Sequence, residues 1–383
     1  MIAPLQRPGP SNEVVALHRA APFTDVHAHP SLSRFLFGHD LWGRHRAEPG
    51  FHPAQLRSGF RQLEHGKVGV VWASHYVPER EILNDCSLLR FAGHLVPELD
   101  RLRTEDRFVL LREVLDGFEA EVAREPGCAE VARTAADLAR IVASGKVAVV
   151  HTVEGAHVLD GDVDRVDELC ARGVACLTLA HFFHNEMFAQ TVGIPPELLG
   201  RIPCQFRFNA DEGPAISPLG YQLLEKLSAC PMLVDVCHCT PRARQAVYAA
   251  IGSKRPILAT HVGLRRFCPH PYNLDETDLR AIAESGGAVG LILMPQWLRS
   301  DGERTVLDVL WEQASYIYEC LGSWDHVMIG SDFDGFTDAP DDCWDASQLW
   351  KITAMLLARG LREDDVMKVI GGNAQRVLRE GWA

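Results

Sequence analysis

Histidine and carboxylate residues stand at the ends of short apolar runs along this 383-residue sequence. Six runs supply seven such residues: His27, His29, Glu154, His181, His238, His261 and Asp332. Imidazoles and carboxylates, with no lysine among them, are ligands that Zn²⁺ or a similar divalent ion takes in proteins. Structural zinc usually uses cysteines in short local pairs, whereas these residues are dispersed. The pattern therefore predicts a catalytic metal centre, in which two ions bridged by one carboxylate would activate a water.

The apolar runs themselves are typical of β-strands. They are rich in Val, Ile and Leu without interruption, as expected for strands covered on both faces of a parallel sheet. The eight predicted strands are 23–29, 68–75, 147–154, 175–181, 232–238, 256–261, 287–294 and 326–332.

Helical patterns lie between these strands. The predicted helices are 88–115, 119–144, 163–172, 218–230, 241–251, 275–285, 305–321, 345–360, 362–370 and a last one from Asn373. Eight alternations of strand and helix predict an α/β fold, a (β/α)8 TIM barrel, in which the strand ends share one mouth. An open doubly wound sheet is the alternative, but no Gly-rich fingerprint follows any strand.

The chain is predicted to be one domain over residues 1–383, because no repeat or low-complexity linker divides it. Two long connections interrupt the barrel pattern at 30–67 and 182–217. Both follow strands, so we expect both loops over the C-terminal face, where barrel active sites form. The first carries several aromatic residues and could form a lid or a pocket wall.

The composition excludes several classes of partner. A net charge of −13 argues against a nucleic-acid binder and against adsorption to an anionic membrane. The apolar runs are too short to span a bilayer, and residues 1–21 lack a signal-peptide pattern. The eleven cysteines form no CxxC pair, which predicts reduced thiols in a cytoplasmic protein. We expect a small-molecule substrate and a possible homo-oligomer.

The sequence resembles the membrane (renal) dipeptidase family of the amidohydrolase superfamily. The similar stretches extend over nearly the whole chain, in order and at similar spacings: 23–30, 153–157, 173–181, 232–238, 259–261, 272–275, 330–335 and 371–377. The resemblance implies a TIM barrel of the metal-dependent hydrolase type. It also implies hydrolysis of the amide bond of dipeptides, often those with a D-residue on the C-terminal side.

The resemblance also implies a role for each residue of the strand-end set. His27 would bind the first metal, and Glu154 would bridge the two. His238 and His261 would hold the second metal. Asp332 would lie beside the first metal and transfer the proton of the nucleophilic water. His181 would polarise the scissile carbonyl or stabilise the oxyanion.

The metal centre departs from the family pattern at one position. The first strand reads His27-Ala28-His29, where the family has His-x-Asp. An imidazole can replace the carboxylate as a ligand, but the centre then carries one more positive charge. That change favours a more acidic bound water and a first metal held less firmly. We expect one or two zinc ions, the binuclear form being favoured.

A second departure concerns the substrate. The family has an arginine before the Asn that opens the seventh connection, and this arginine binds the dipeptide carboxylate. Here that pair is Tyr272-Asn273, and Arg265 and Arg266 lie earlier in the same loop. Arg265 and Arg266 are therefore predicted to bind a substrate carboxylate, with Tyr272 and Asn273 beside them. If neither arginine reaches the site, the substrate is not a free dipeptide.

Several neighbouring residues have open interpretations. Asp334 could support the metal centre or form a turn, and Asp235 could orient a neighbour or cap the barrel floor. The spacing of His151 relative to the strand end predicts that it faces the helix layer. Cys237 and Cys239 have the wrong parity to join His238 and are assigned to packing.

Three functions fit these patterns. The first is a metal-dependent hydrolase that cleaves a dipeptide or a dipeptide-like substrate with a metal-activated water. The second is a specialised pathway enzyme that acts on an N-acyl compound, a cyclic amide or a modified amino acid, even by elimination. The third is a metal-binding scaffold without catalysis, which the intact set of Glu154, His238, His261 and Asp332 disfavours.

Overall fold

Parallel β-strands form a closed barrel in the computed structural model of the chain, which describes residues 9–93, 97–202 and 204–382. The strands are β1 Phe23–Ala28, β2 Val68–His75, β3 Ala129–Ala132, β4 Val147–Glu154, β5 Cys176–Thr178, β6 Leu233–Asp235, β7 Ile257–Val262, β8 Ala288–Leu291 and β9 Val327–Ile329. Their order is β2-β1-β9-β8-β7-β6-β5-β4-β3, and pairing of β2 with β4 closes the ring. Each of the eight predicted runs overlaps one barrel strand, which confirms the predicted (β/α)8 fold.

The extra strand β3 was not predicted. It lies within 119–144, which the sequence pattern assigned to one helix. The preceding helix ends at Val122, and a turn that contains Pro126 and Gly127 leads into β3. This strand pairs in parallel with the first half of β4, where Ala129 faces Val147 and Ala132 faces Val150. The prediction of a single helix across this region is therefore wrong.

Helices surround the barrel between the strands. The α-helices are α1 Asn12–Ala20, α2 Pro30–Phe37, α3 Phe60–Gly66, α4 Arg80–Asp85, α5 Ser87–Gly93, α6 Pro97–Thr104, α7 Arg107–Val122, α8 Ala135–Ala143, α9 Val166–Ala171, α10 Pro196–Leu199, α11 Pro218–Ala229, α12 Pro241–Ile251, α13 Glu276–Glu284, α14 Pro295–Leu298, α15 Leu307–Leu321, α16 Trp350–Ala358, α17 Glu363–Met367 and α18 Asn373–Gly381. The predicted helix 88–115 is divided among α5, α6 and α7, and its residues 94–96 lie outside the described part of the chain. No helix within the described ranges is long and apolar enough to cross a bilayer.

The loop 30–67 contains α2 and α3 and is fixed to the barrel mouth by Asp334. The carboxylate of Asp334 accepts hydrogen bonds from the backbone N–H groups of Arg57 (2.7 Å) and Ser58 (2.9 Å), and also from the Ser58 hydroxyl. The carboxylate is buried, and burial raises its pKa although these donors oppose the change. Asp334 thus anchors a loop.

A disulfide joins the loop 182–217 to the segment after α4. Cys86 and Cys204, which are 118 residues apart in sequence, form this bond. The prediction that all the thiols are reduced is therefore wrong for these two residues, because the fold brings their loops together over the barrel mouth. The other nine cysteines are free thiols.

Candidate metal centre and substrate pocket

Four imidazole rings converge on one carboxylate at the C-terminal mouth of the barrel. The Nε2 atoms of His27 and His29 lie 3.0 Å apart, and those of His238 and His261 lie 3.1 Å apart. Glu154 stands between the two pairs. Its Oε1 is 3.2–3.4 Å from Nε2 of His27, His238 and His261, and its Oε2 is 3.3 Å from Nε2 of His29.

Asp332 completes the His27–His29 side of the cluster. Its Oδ1 lies 3.2 Å from His29 Nε2, and its side chain is the most exposed of the set at 14%. Asp332 and His238 have positive backbone φ angles of 57° and 63°, which non-glycine residues rarely adopt. Backbone strain of this kind is often found at functional sites, and here it directs both side chains into the mouth.

These distances suit a metal centre. Ligand atoms that sit about 2.0–2.1 Å from one tetrahedral zinc lie roughly 3.3 Å from each other. Oε1 of Glu154 is buried, and within the described ranges no hydrogen-bond donor is aligned with it. Burial lowers the pKa of His27 and of His238 to about 4, so both rings are neutral at pH 7 with a lone pair available for a cation. The residues present therefore fit the metal that the pattern predicts.

Thr260 fixes the tautomers of two candidate ligands. Its hydroxyl donates to Asp235 Oδ2 at 2.7 Å, so its lone pairs are left to accept. His27 Nδ1 lies 3.1 Å and His261 Nδ1 lies 2.9 Å from this oxygen, and both act as N–H donors to it. In its neutral form, each ring then presents an unprotonated Nε2 towards Glu154. Of the two interpretations of Asp235, the structure supports the one in which Asp235 orients a neighbour, which is Thr260.

We expect Thr260→Val to weaken metal binding. Valine keeps the shape but removes the acceptor that orients both rings, and such outer contacts are worth about 10–100-fold in metal affinity. Competition with a chromophoric chelator measures the change. Thr178→Val is the matched control, because the Thr178 hydroxyl donates to the same Asp235 Oδ2 at 2.7 Å without these contacts to the rings. Equal losses in the two variants would contradict the tautomer role.

Glu79 orients His181, a role that the sequence pattern did not predict. Glu79 accepts hydrogen bonds from His181 Nδ1 (2.8 Å), from the backbone N–H of Phe182 (3.1 Å) and from the Tyr76 hydroxyl. His181 Nε2 consequently faces the pocket, 3.6 Å from Glu154 Oε2. Burial alone lowers the pKa of His181, but the carboxylates of Glu79 and Glu154 outweigh it and raise that pKa. Glu79 follows the second strand by four residues, so the strand-end rule could have found it.

The two long loops contribute to the walls of a pocket above the cluster. The pocket floor is made of His29, Glu154, His181, His238 and Asp332. The walls are largely apolar and consist of Leu32, Phe51, Phe182, Ile194, Pro195, Leu198, Ile202, Met294, Trp297 and Phe336. Gly335 adjoins the floor, where a Cβ would meet Asp332 Oδ1 at 2.2 Å.

Only Tyr272 of the four predicted substrate-binding residues lines this pocket. Its hydroxyl donates to the carbonyl oxygen of His261 at 2.5 Å, and its ring stacks on Trp297 with centroids 4.8 Å apart. Asn273 is buried behind it and secures the loop. The Asn273 amide donates to the carbonyls of Cys268 and Trp297, and its oxygen accepts from Gly263.

The structure does not bring Arg265 and Arg266 to the pocket. Arg265 pairs with Asp275 at 3.3 Å, beside the start of α13. The Arg266 guanidinium lies over the Tyr316 ring of α15, 5.6 Å from its centroid. Both side chains leave the loop towards the helix layer, where carboxylate and aromatic partners hold them. His151 faces the helix layer as predicted, with Nε2 3.4 Å from Glu119 of α7.

The barrel and the histidines and carboxylates that converge at its mouth are those of a metal-dependent hydrolase of the (β/α)8 class. Residues 12–381 match the family model of the membrane dipeptidases (Peptidase family M19), and the chain belongs to this family. The resemblance that the sequence motifs indicated is thereby confirmed.

Relatives in sequence span most of the chain. An uncharacterized protein in the pqqA 5′ region of Klebsiella pneumoniae is 31% identical over 268 residues, which are 68% of this chain and 92% of that one. Dipeptidase tcpJ of Claviceps purpurea (strain 20.1) is 26% identical over 359 residues, 91% of this chain and 77% of that one.

Solved structures share the fold. The probable dipeptidase PvdM from Pseudomonas aeruginosa superposes with a TM-score of 0.75 at 21% identity, over 96% of this chain and 97% of that one. A metallo peptidase from Rhodobacter sphaeroides, liganded with a phosphinate mimic of the dipeptide L-Ala-D-Ala, gives a TM-score of 0.71 at 21% identity. That match covers 94% of this chain and 99% of that one.

Proposed function

We propose that this protein is a zinc-dependent hydrolase that cleaves the amide bond of a dipeptide or a dipeptide-like substrate. One observation carries the proposal: four imidazole Nε2 atoms surround a single buried carboxylate at distances of 3.2–3.4 Å. Thr260 accepts from Nδ1 of His27 and of His261, and this contact turns the Nε2 of both rings towards Glu154.

The ligands divide into two groups that share Glu154. His27, His29 and Asp332 would hold one ion, and His238 and His261 would hold the other. Bound divalent ions supply an acidified water and a polarised carbonyl. Because His29 stands where the family has a carboxylate, the first group has one negative charge fewer to offset the charge of an ion. We propose that the His238–His261 group therefore binds zinc more tightly than the first group does.

The chain's own groups handle the proton and the developing charge. Asp332 is the most exposed carboxylate of the cluster, so it can accept a proton from the nucleophilic water and deliver it to the leaving nitrogen. His181 is held by Glu79 with Nε2 towards the pocket, where an Nε2–H can donate to the carbonyl oxygen as negative charge develops on it.

Metal content and turnover of one preparation test this function. We expect protein purified without chelator to contain about two zinc ions per chain, the number that a shared-carboxylate site accommodates. It should hydrolyse members of a panel of L,L- and L,D-dipeptides and aminoacyl amides. Chelation should abolish the activity and zinc should restore it. A zinc-loaded protein that cleaves no amide of the panel would contradict the proposed function.

A further inference from the structure

The pocket contains no cationic group suited to a carboxylate. Among the described residues that line it there is no lysine and no arginine. Glu154 and Asp332 are anionic, and the imidazoles are either candidate ligands or, as His181, already paired with Glu79. A substrate carboxylate would therefore enter a pocket whose described lining offers it no lysine or arginine.

Arginines near the mouth are engaged elsewhere. Arg304 pairs with Asp338 and Asp341, each at 2.9 Å. The Arg57 guanidinium donates to the backbone carbonyls of Glu48, Gly50 and Trp344. Arg201 lies between the wall residues Leu198 and Ile202 in sequence. Its side chain is 61% exposed, and its guanidinium lies 3.7 Å from the Asp338 carboxylate. A carboxylate inside the pocket would have to break one of these arrangements to obtain a guanidinium partner.

The hydroxyls of the two tyrosines that line the pocket are also used. The Tyr272 hydroxyl is bonded to the His261 carbonyl, and the Tyr76 hydroxyl is bonded to Glu79. Trp297 stacks on Tyr272, so this side of the pocket presents ring carbons. A charged group loses its hydration against such a surface without compensation, whereas an apolar group is stabilised by burial.

We propose that the substrate is an amide with an apolar group beside the scissile bond and no carboxylate on the leaving amine. This inference rests on the proposed function and narrows its substrate class. Water adds its oxygen to the carbonyl carbon and the C–N bond breaks. One proton of that water reaches the leaving nitrogen, and the products are a carboxylic acid and an apolar amine.

A matched substrate pair tests the inference on the zinc-loaded protein. L-leucyl-phenethylamide differs from L-leucyl-phenylalanine only by the carboxylate on the leaving amine. We expect kcat/KM for the phenethylamide to exceed that for the L,L- and L,D-dipeptides by at least about tenfold, because an unpaired buried charge costs more than that factor. Equal or higher kcat/KM for either dipeptide would overturn the inference.

Variants of Tyr272 and Arg265 test whether the substrate preference depends on the pocket wall. Tyr272→Arg places a guanidinium beside Trp297 and should reverse the preference towards the dipeptides. Tyr272→Phe keeps the ring and should keep the preference for the phenethylamide. Arg265→Ala should leave the ratio of the two kcat/KM values unchanged, because Arg265 pairs with Asp275 away from the pocket. A selective loss of dipeptide turnover in Arg265→Ala would overturn the inference.

Binding distinguishes this inference from the proposed function. If neither amide is hydrolysed, calorimetry with the same two compounds still compares their dissociation constants. Tighter binding of the phenethylamide would then support the inference that the leaving amine carries no carboxylate, while the hydrolase proposal fails. Equal or tighter binding of the dipeptide would overturn both.

Discussion

Glu154→Gln should remove both bound metal and turnover. The carboxylate of Glu154 lies within 3.4 Å of all four imidazole Nε2 atoms, and it is 2% exposed. Glutamine has nearly the same shape but no charge, and its amide N–H groups would repel a cation. We expect metal affinity to fall at least about 100-fold and kcat/KM to fall about 10³-fold or more. Loss of a metal ligand lowers affinity more than loss of a group that only hydrogen-bonds to a ligand, which costs about 10–100-fold.

A second carboxylate that contacts histidine provides the control. Glu119 lies 3.4 Å from His151 Nε2, on the helix side of the barrel. Glu119→Gln makes the same chemical change and should leave zinc content and kcat near the wild-type values. Thermal unfolding in chelator identifies any folding defect that is independent of metal. Wild-type metal content in Glu154→Gln would exclude the bridging role.

The barrel was predictable because burial of its strands produces a sequence pattern that can be recognised within each strand. A strand buried on both faces must be apolar along its length, and its end must carry whatever group faces the mouth. His238 and Asp332 follow this rule, and so does Glu79, although it was overlooked. Four of the site residues, His29, His181, His238 and Asp332, lie past the end of a strand. The other three, His27, Glu154 and His261, occupy the last or the second-last position of a strand.

The parts that sequence reasoning missed depend on contacts across the fold. Thr260 resembles any β-branched strand residue until Asp235, His27 and His261 surround its hydroxyl. The Cys86–Cys204 bond needs two loops that are far apart in sequence to meet. Arg265 and Arg266 have the right charge at the right distance along the chain, but helix-layer partners determine their direction. Sequence distance within a loop gives no information about that direction.

Asp332→Asn should separate metal binding from catalysis. The amide oxygen of asparagine can still contact an ion, and asparagine tolerates the positive φ of 57° at this position. It cannot take a proton from the nucleophilic water or return one to the leaving nitrogen. We expect zinc content close to that of the wild type and a fall in kcat of about 10²–10⁴-fold, the range that general acid–base catalysis contributes.

Asp334→Asn is the matched control two residues along the chain. Asp334 also has a positive φ, 66°, but its carboxylate holds the loop at Arg57 and Ser58. Its loss should therefore lower the free energy of unfolding by about 1–3 kcal/mol, the cost of unsatisfied buried donors. Because the reacting groups stay in place, kcat in Asp334→Asn should fall far less than in Asp332→Asn. Full activity in Asp332→Asn would rule out the proton-transfer role, and zinc loss in that variant would show instead that Asp332 acts chiefly as a ligand.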